Sequence, residues 1–381
     1  MKKKILVLSS CYLPSIKGGG PVQSLKNLVD NLSDELEFNI LTANRDWKEE
    51  NEYPNIKSDE WVEVGNARVF YTNPDKLTLK KLVNIINNSN PDIIYLNSYF
   101  SFKFSIAVVL LKKMNKLNTN SVVIAPRGEF SKGALAIKSL KKKVFLNATK
   151  ILGLYRGLTW HATSETEEID IREQWGKNAQ IKIAGNLTSD YSTLNYDKKI
   201  EKESGNLKIV FVSRVVPKKN LKQAIKLLKY LNGSVEFDIY GPLEDRNYWS
   251  ECKRMIEELP ENIKVSYKGI LNHTEVLSTF RNYHVFLFPT LGENFGHVIS
   301  EALIGGCPVI ISDQTPWRGL EENKVGWDIE LNNEEKFISS LQSCIDLDCN
   351  DYRVISNNAF EYGKEKSNIQ KEVLKTYNLF Q

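Results

Sequence analysis

The sequence is poor in the residues that staple small folds or build metal sites. Cys11, Cys252, Cys307, Cys344 and Cys349 are an odd set of five with no C-x-x-C among 381 residues. That argues against a disulfide framework or a zinc ribbon and fits a reducing compartment. The four histidines, His161, His273, His284 and His297, lack ligand spacing such as H-x-x-x-H. His161 and His284 adjoin apolar strands and read as structural, and His297 reads as a cap. No window of about 18 residues is free of charge, so no membrane-spanning helix is expected. Neither G-x-G-x-x-G nor a Walker loop occurs, which disfavours a nicotinamide enzyme. The one D-x-D, Asp346-Leu347-Asp348, follows no strand and reads as a solvated turn. No metal or other cofactor is expected. The start, Met1–Ser10, has a basic then apolar pattern, but it runs into Pro14 and Gly18-Gly19-Gly20 without a small-residue cleavage site. It is read as a first buried strand.

Acidic residues are scarce in one region. Residues 1–190 hold 27 Lys and Arg against 20 Asp and Glu, and within 99–150 eleven basic residues face one acid, Glu129. Such a surface suits a polyanion: phospholipid, pyrophosphate or nucleic acid. Aromatic and apolar residues from Tyr99 to Leu111 are joined with Lys103 and Lys112-Lys113, and Lys132, Lys138 and Lys141–Lys143 follow. Interfacial helices combine these residue types.

Short apolar runs alternate with helical-period segments in both halves, the pattern of α/β units with parallel sheets. Expected strands in the first half are Ile5–Ser10, Phe38–Thr42, Val69–Tyr71, Ile93–Leu96, Val122–Ala125 and Thr159–Ala162. A helical stripe of Val22, Leu25, Leu28, Val29 and Leu32 lies between the first two. The second half repeats the plan, with strands at Leu207–Val212, Glu236–Tyr240, Val265–Lys268, Val285–Pro289 and Val309–Ser312 and a helix over Leu221–Leu231. Between the halves, Ser189–Asn206 is polar and carries Asp190, Asp197, Lys198, Lys199, Glu201 and Glu203; it is read as a linker. Two doubly wound domains are expected, 1–190 and 205–362, with a last helix at about 363–381 returning to the first. Ligands on such folds bind where loops leave the carboxyl ends of strands.

Three loops carry the chemistry. Gly18-Gly19-Gly20-Pro21 separates the first strand from its helix, and glycines there let backbone amides approach an anion or merely make a tight loop. Arg214 and Lys219, five residues apart after the strand Leu207–Val212, can clamp a diphosphate as its charge grows on departure. The third stretch runs from Phe288 through Gly292-Glu293-Asn294-Phe295-Gly296-His297 to Glu301-Ala302-Leu303. It sets Glu293 in a loop and Glu301 about a turn and a half into a helix starting near Gly296. The amides of Asn294–His297 would face an anion.

Glu293-x7-Glu301, inside G-E-x-F-G…E-A-L…G-x-P-V-I, resembles the signature of the retaining glycosyltransferases of family 4, which have the two-domain GT-B fold with a central cleft. The Gly-rich loop, the S-R…P-K-K loop, Tyr240-Gly241-Pro242, Lys268-Gly269-Ile270-Leu271 and Asp313–Trp317 extend the resemblance over nearly the whole chain. It implies that Arg214 and Lys219 hold the donor diphosphate and that Glu293 lies near the transferred sugar. Glu301 would bond the ribose hydroxyls. The amides of Asn294, Phe295 and Gly296 would meet the sugar and distal phosphate. Gly19 and Gly20 would close over the diphosphate, and Gly241, Ile270 and Leu271 would hold the base. Where many members have a His-Gly pair facing the sugar, this chain reads Pro126-Arg127-Gly128-Glu129. Arg127 on the acceptor and sugar side stabilises charge but cannot act as a base.

The resemblance implies transfer of a hexose-type sugar, from a UDP-sugar above others, to a glycan or lipid-linked glycan in cell-surface polysaccharide assembly. The expected location is cytoplasmic, with residues 99–150 in peripheral contact with anionic membrane and no nucleic-acid partner. A sugar-nucleotide epimerase of the same fold and a non-catalytic nucleotide- or polyanion-binding protein are the rival readings.

Overall fold

The computed structural model describes residues 2–47, 49–119, 121–131, 134–135, 139–189, 191, 193–197, 200–367 and 370–381. Asp190, Lys198 and Lys199 of the linker and Lys132 and Lys138 of the basic stretch lie outside the described residues. The chain divides into two compact units, Met1–Ser189 with Ile369–Gln381, and Asp190–Asn368. Among the described residues no helix is long and apolar enough to cross a membrane.

The first unit is built on β1 (Lys3–Leu8), β2 (Leu36–Ala43), β3 (Trp61–Val64), β4 (Ala67–Thr72), β5 (Ile93–Leu96), β6 (Val122–Ile124), β7 (Thr159–Ala162) and β8 (Gln180–Ile183). They form one sheet in the order β3-β4-β2-β1-β5-β6-β7-β8. Only the β3–β4 edge hairpin is antiparallel. Ile5, Leu6, Val7 and Leu8 are fully buried, as a parallel strand covered by helices on both faces must be. The stripe Val22, Leu25, Leu28, Val29 and Leu32 of helix Gly20–Leu32 is buried on one face. On that face the carboxyl-terminal helix Gln370–Leu379 adds Leu379 and Phe380 to the core. The Phe380 ring meets Tyr95 edge-on, with centroids 5.3 Å apart.

The second unit carries β9 (Asn206–Val212), β10 (Ser234–Tyr240), β11 (Ile263–Gly269), β12 (Val285–Phe288), β13 (Val309–Ser312) and β14 (Gly326–Ile329). The sheet is wholly parallel, in the order β11-β10-β9-β12-β13-β14. In both sheets the order runs outward from the first strand in one direction and then restarts on its other side. This reversal falls between β1 and β5 in one unit and between β9 and β12 in the other, and loops diverge there to open a crevice.

Strands β3, β8 and β14 carry no apolar run for a sequence reading to find, since β8 reads QIKI and is largely exposed. The helix expected over 221–231 ends at Leu228. The chain then tightens into i→i+3 bonds, Tyr230 to Leu227 and Leu231 to Leu228, before Gly233.

The stretch from Tyr99 to Leu111 does not form the interfacial surface expected of it. Phe102–Ile106 makes a π-helical turn into helix Ala107–Lys113, and Phe104, Ile106, Val108, Val109 and Leu111 are buried. Tyr99 is buried among the rings of Phe130, Tyr155 and Trp160. The parallel pair β5–β6 needs a crossover helix, and that helix must bury an apolar face on the sheet. Helix Ser139–Ile151 differs. Leu140, Val144 and Ile151 are 76%, 62% and 85% exposed.

Candidate active site

The loop after β9 runs from Ser213 through a 3-10 turn at Pro217–Lys219 to Asn220, whose φ of 58° is left-handed, and then enters helix Leu221–Leu228. Asn tolerates this backbone because its short polar side chain bonds locally. The Asn220 side-chain amide donates to the Pro289 carbonyl at 2.9 Å, and the Leu291 amide donates to the Lys218 carbonyl at 2.9 Å. These bonds stitch the loops after β9 and β12 together across the switch point. The loop after β13 holds the other side. The Glu293 amide donates to the Gln314 carbonyl at 2.9 Å, the Ser312 hydroxyl to the Thr290 carbonyl, and Trp317 Nε1 to the Phe295 carbonyl at 2.8 Å.

Inside this frame the Lys219 ammonium bonds the Glu293 carboxylate and lies 5.5 Å from the centre of the Phe288 ring. Their side chains are only 12% and 14% exposed. Burial pushes the Lys219 ammonium down from its ordinary range; the Glu293 carboxylate opposes that, and the charges of Arg214 and Lys218 add to it. Three cations therefore converge near one carboxylate, so an arriving anion relieves repulsion. Arg214 is half-exposed and directs Nη1 to the Glu244 carboxylate at 3.3 Å. An exposed pair of this kind exchanges readily for a stronger anion.

Gly296, at φ 81°, caps helix His297–Ile304. The Gly296 carbonyl accepts from the Ile299 amide at 2.9 Å, and the amino end of the helix, with its positive dipole, follows Glu293 by three residues. Glu301 is partly buried in the same helix, and burial pushes its carboxyl up to about 8. At neutral pH it is mostly a neutral acid that can both donate to and accept from a hydroxyl.

The remaining expected residues lie along the same carboxyl edge of the sheet. Gly241, at φ 134°, follows β10, and a Cβ there would fall 1.9 Å from the Ser213 carbonyl oxygen. The close approach of two loops thus accounts for this glycine whether or not a base stacks on it. Ile270, which is half-exposed, and Leu271 follow β11.

In the first unit Gly19, at φ 55°, caps helix Gly20–Leu32 after β1. Arg127 follows β6, with φ 56°. Its guanidinium donates to Asn97 Oδ1 at 2.9 and 3.1 Å, to Asn186 Oδ1 at 2.6 Å and to the Tyr95 hydroxyl at 2.9 Å. All these acceptors are neutral. Asn97 Nδ2 is buried with no hydrogen-bond partner among the described residues.

Residues 192–362 match the family model of glycosyl transferases group 1. That match spans nearly all of the second unit. No curated protein matches the sequence. Solved structures do. Sucrose-phosphate synthase from Thermosynechococcus elongatus is 16% identical, with 100% of this chain and 98% of that one covered at a TM-score of 0.72. HepE of Anabaena, solved with UDP and glucose, is 17% identical over 99% and 98%, at 0.70. WaaG, a glycosyltransferase involved in lipopolysaccharide biosynthesis, is 12% identical over 99% and 99%, at 0.68. The fold is GT-B, with two parallel-sheet α/β domains.

Within this fold the second unit gathers Arg214, Lys219, Glu293 and the 294–296 backbone, with Glu301 in the adjoining helix. Gly19, Gly20 and Arg127 belong to the first unit. Sequence reasoning missed Asn97, Asn186, Tyr95 and Glu244, which act as partners and carry no local motif. His161 sits between the Tyr95 hydroxyl (2.7 Å) and the Ala184 carbonyl (2.8 Å). Burial and the Arg127 charge push it down to about 3, so it stays neutral. His284 Nδ1 accepts from the Lys208 amide at 2.9 Å. Both are structural. The D-x-D ends as helix punctuation, with Asp348 accepting from the amides of Asn350 and Asp351.

Proposed function

We propose that the protein is a retaining, metal-independent hexosyltransferase. It takes a UDP-sugar and delivers the sugar to a glycan or lipid-linked glycan in cell-surface polysaccharide assembly. The observation that carries this reading is the Arg214–Lys219–Glu293 arrangement at the β9/β12 switch point, where three loops are mutually hydrogen-bonded. A departing nucleoside diphosphate gains negative charge, and fixed cations and helix dipoles stabilise it without reorganising. Arg214 and Lys219 take that charge, and Glu293 orients Lys219 and the sugar. Glu301 meets the ribose hydroxyls. Arg127 and the unsatisfied Asn97 Nδ2 belong to the sugar and acceptor side. No carboxylate is singled out as a nucleophile, so front-face departure is the preferred route: the bond from the anomeric carbon to the donor phosphate oxygen breaks, the acceptor oxygen bonds that carbon on the same face, and the departing phosphate oxygen takes the acceptor proton. The choice of UDP draws support from the HepE structure, which was solved with UDP and glucose.

A thermal-shift screen across nucleotide sugars tests the reading. A ligand at 100 times its dissociation constant adds about 2.7 kcal/mol, and UDP-sugars are expected to give the largest rise. Transfer or slow hydrolysis of that donor should survive EDTA. Abolition by EDTA with rescue by magnesium would end the metal-independent proposal, and release of an epimerised donor would favour the epimerase.

Membrane contact is proposed for a narrower region than 99–150. Helix Ser139–Ile151 exposes Leu140, Val144 and Ile151 on one stripe beside Lys141, Lys143 and Lys150. Each such lysine near anionic lipid contributes about 1 kcal/mol. Flotation with phosphatidylglycerol vesicles should be salt-sensitive and lost in a Lys141→Ala/Lys143→Ala variant; equal flotation of variant and parent would dismiss this surface.

A further inference from the structure

The first sheet has a second opening, at the edge opposite its glycine loop. Lys4, Glu37, Asn39, Arg68 and Phe70 come from the amino-terminal parts of β1, β2 and β4. Register places Asn39 opposite Leu6 on one side and Arg68 on the other. On β2, Glu37 and Asn39 alternate with Phe38 and Ile40 and so share a face with Leu41. This is the face that helix Leu79–Ser89 covers through Leu82 and Ile86. Toward the amino edge that cover stops, leaving a cavity of about 680 Å³ walled by Trp61, Asn84, Asn88 and Asn90.

Three features describe what fits. The first is an unmet bond. Asn39 is 4% exposed, lines the cavity, and its buried Oδ1 has no hydrogen-bond partner among the described residues. An orphaned amide oxygen of this kind costs about 1–3 kcal/mol, so a ligand that draws it into the cavity gains a bond the free protein lacks. The second is charge. Lys4, Arg68 and Lys81 on the lining are matched by Glu37, Asp59 and Glu60, with Lys81 bonded to Asp59 at 2.6 Å and Lys4 3.8 Å from Glu37. The wall ends at the carboxyl terminus of helix Leu79–Ser89, whose carbonyls repel anions. A phosphate-bearing ligand is disfavoured twice. The third is the pairing of amides with an aromatic. Asn39, Asn84, Asn88 and Asn90 both donate and accept, as sugar hydroxyls do. The Trp61 ring, edge-on to Phe70 at 5.3 Å, carries the Arg68 guanidinium over it at 5.8 Å and offers sugar C–H groups the apolar surface that the guanidinium leaves uncovered.

We propose that this cavity is a second ligand site, binding a neutral saccharide chain at the sheet edge opposite the Gly19–Gly20 loop. It stands independently of the donor reading, because none of its residues belongs to that site.

The test is binding, measured on the full chain by saturation-transfer NMR and calorimetry. The probes are maltotriose, cellotriose, mannotriose and N-acetylchitotriose. At least one is expected to bind with a dissociation constant below about 1 mM, with or without saturating UDP. Asn39→Leu, with the same branched skeleton and without the orphan oxygen, should weaken that binding at least about tenfold and raise the melting temperature. Asn84→Ala/Asn88→Ala, on the exposed helix face, should weaken it similarly, and it carries the test if the Asn39→Leu variant does not fold. No binding of any trisaccharide at about 10 mM would overturn the site. So would affinity unchanged in both variants, or binding that UDP abolishes. If UDP-sugar turnover fails while the trisaccharide still binds, the proposed function falls and this site stands.

Discussion

The two sheets reverse strand order in the same way, yet they handle positive charge at the carboxyl ends of their strands differently. Beside β9 and β12 the cation is Lys219, buried against the Glu293 side chain, with Arg214 half in water next to Glu244. In the first unit Arg127 is wrapped by two side-chain amides and a phenol, with no carboxylate within ion-pairing distance among the described residues. One arrangement keeps charge on hand for a leaving group that needs it. The other fixes a cation in place through neutral oxygens, leaving its charge uncancelled. A shared topology therefore places the loops of each unit at the carboxyl ends of its strands, and side-chain pairing decides what charge each unit presents there.

The sharpest way to break that contrast is at Lys219. Lys219→Met should lower turnover about 10²–10³-fold. It should also cost about 3–5 kcal/mol of stability, because Glu293 is left buried without its partner. Lys219→Met/Glu293→Gln should recover the melting temperature but not the turnover, which separates pairing from chemistry. If both recover, the pair is only structural.

Arg127→Met probes the other side. Asn97, Asn186 and Tyr95 lose a charged donor, so denaturant unfolding should show a loss of about 2–3 kcal/mol. The His161 imidazole, relieved of the neighbouring cation, should titrate higher by NMR. An unmoved His161 would mean that burial alone holds it neutral. Arg214→Ala should behave oppositely, with stability changed by less than about 1 kcal/mol and turnover falling more than apparent donor affinity. Equal loss of both parameters would contradict a leaving-group role.

At Glu301 the effect expected is one of pH dependence. Its carboxyl keeps a proton in the folded state up to about pH 8, against an ordinary value of 4.5. Its contribution to stability is therefore full below about pH 4.5 and is lost as pH rises through 8, by at most about 1.4 kcal/mol per pH unit. Glu301→Gln should flatten that slope, gaining melting temperature over the parent at pH 9 and little at pH 5. Parallel pH profiles of the two proteins would show that Glu301 is ionised throughout.

Much of the site was legible because strand-to-helix loops advertise themselves. An apolar run, then glycines or a basic pair, then a helical stripe locates Gly19, Arg214, Lys219 and Glu293 without any contact information. The interfacial reading of Tyr99–Leu111 failed for a related reason. A run of aromatics and aliphatics between lysines looks alike whether it meets lipid or a sheet, and only the β5–β6 crossover shows that it covers the sheet. The partners of Arg127 were equally hidden, since Asn97, Tyr95 and Asn186 are ordinary residues in separate segments.

By itself the sequence determined two parallel α/β sheets and the loops that leave their carboxyl ends, because apolar periodicity and turn chemistry are local. Tertiary structure alone decided that Glu293 pairs with Lys219, that Arg127 is held by neutral oxygens and that Asn39 is left with an unmet bond. Those outcomes depend on which distant strands become neighbours, and hydrogen bonds and burial act between atoms in space whatever their separation along the chain.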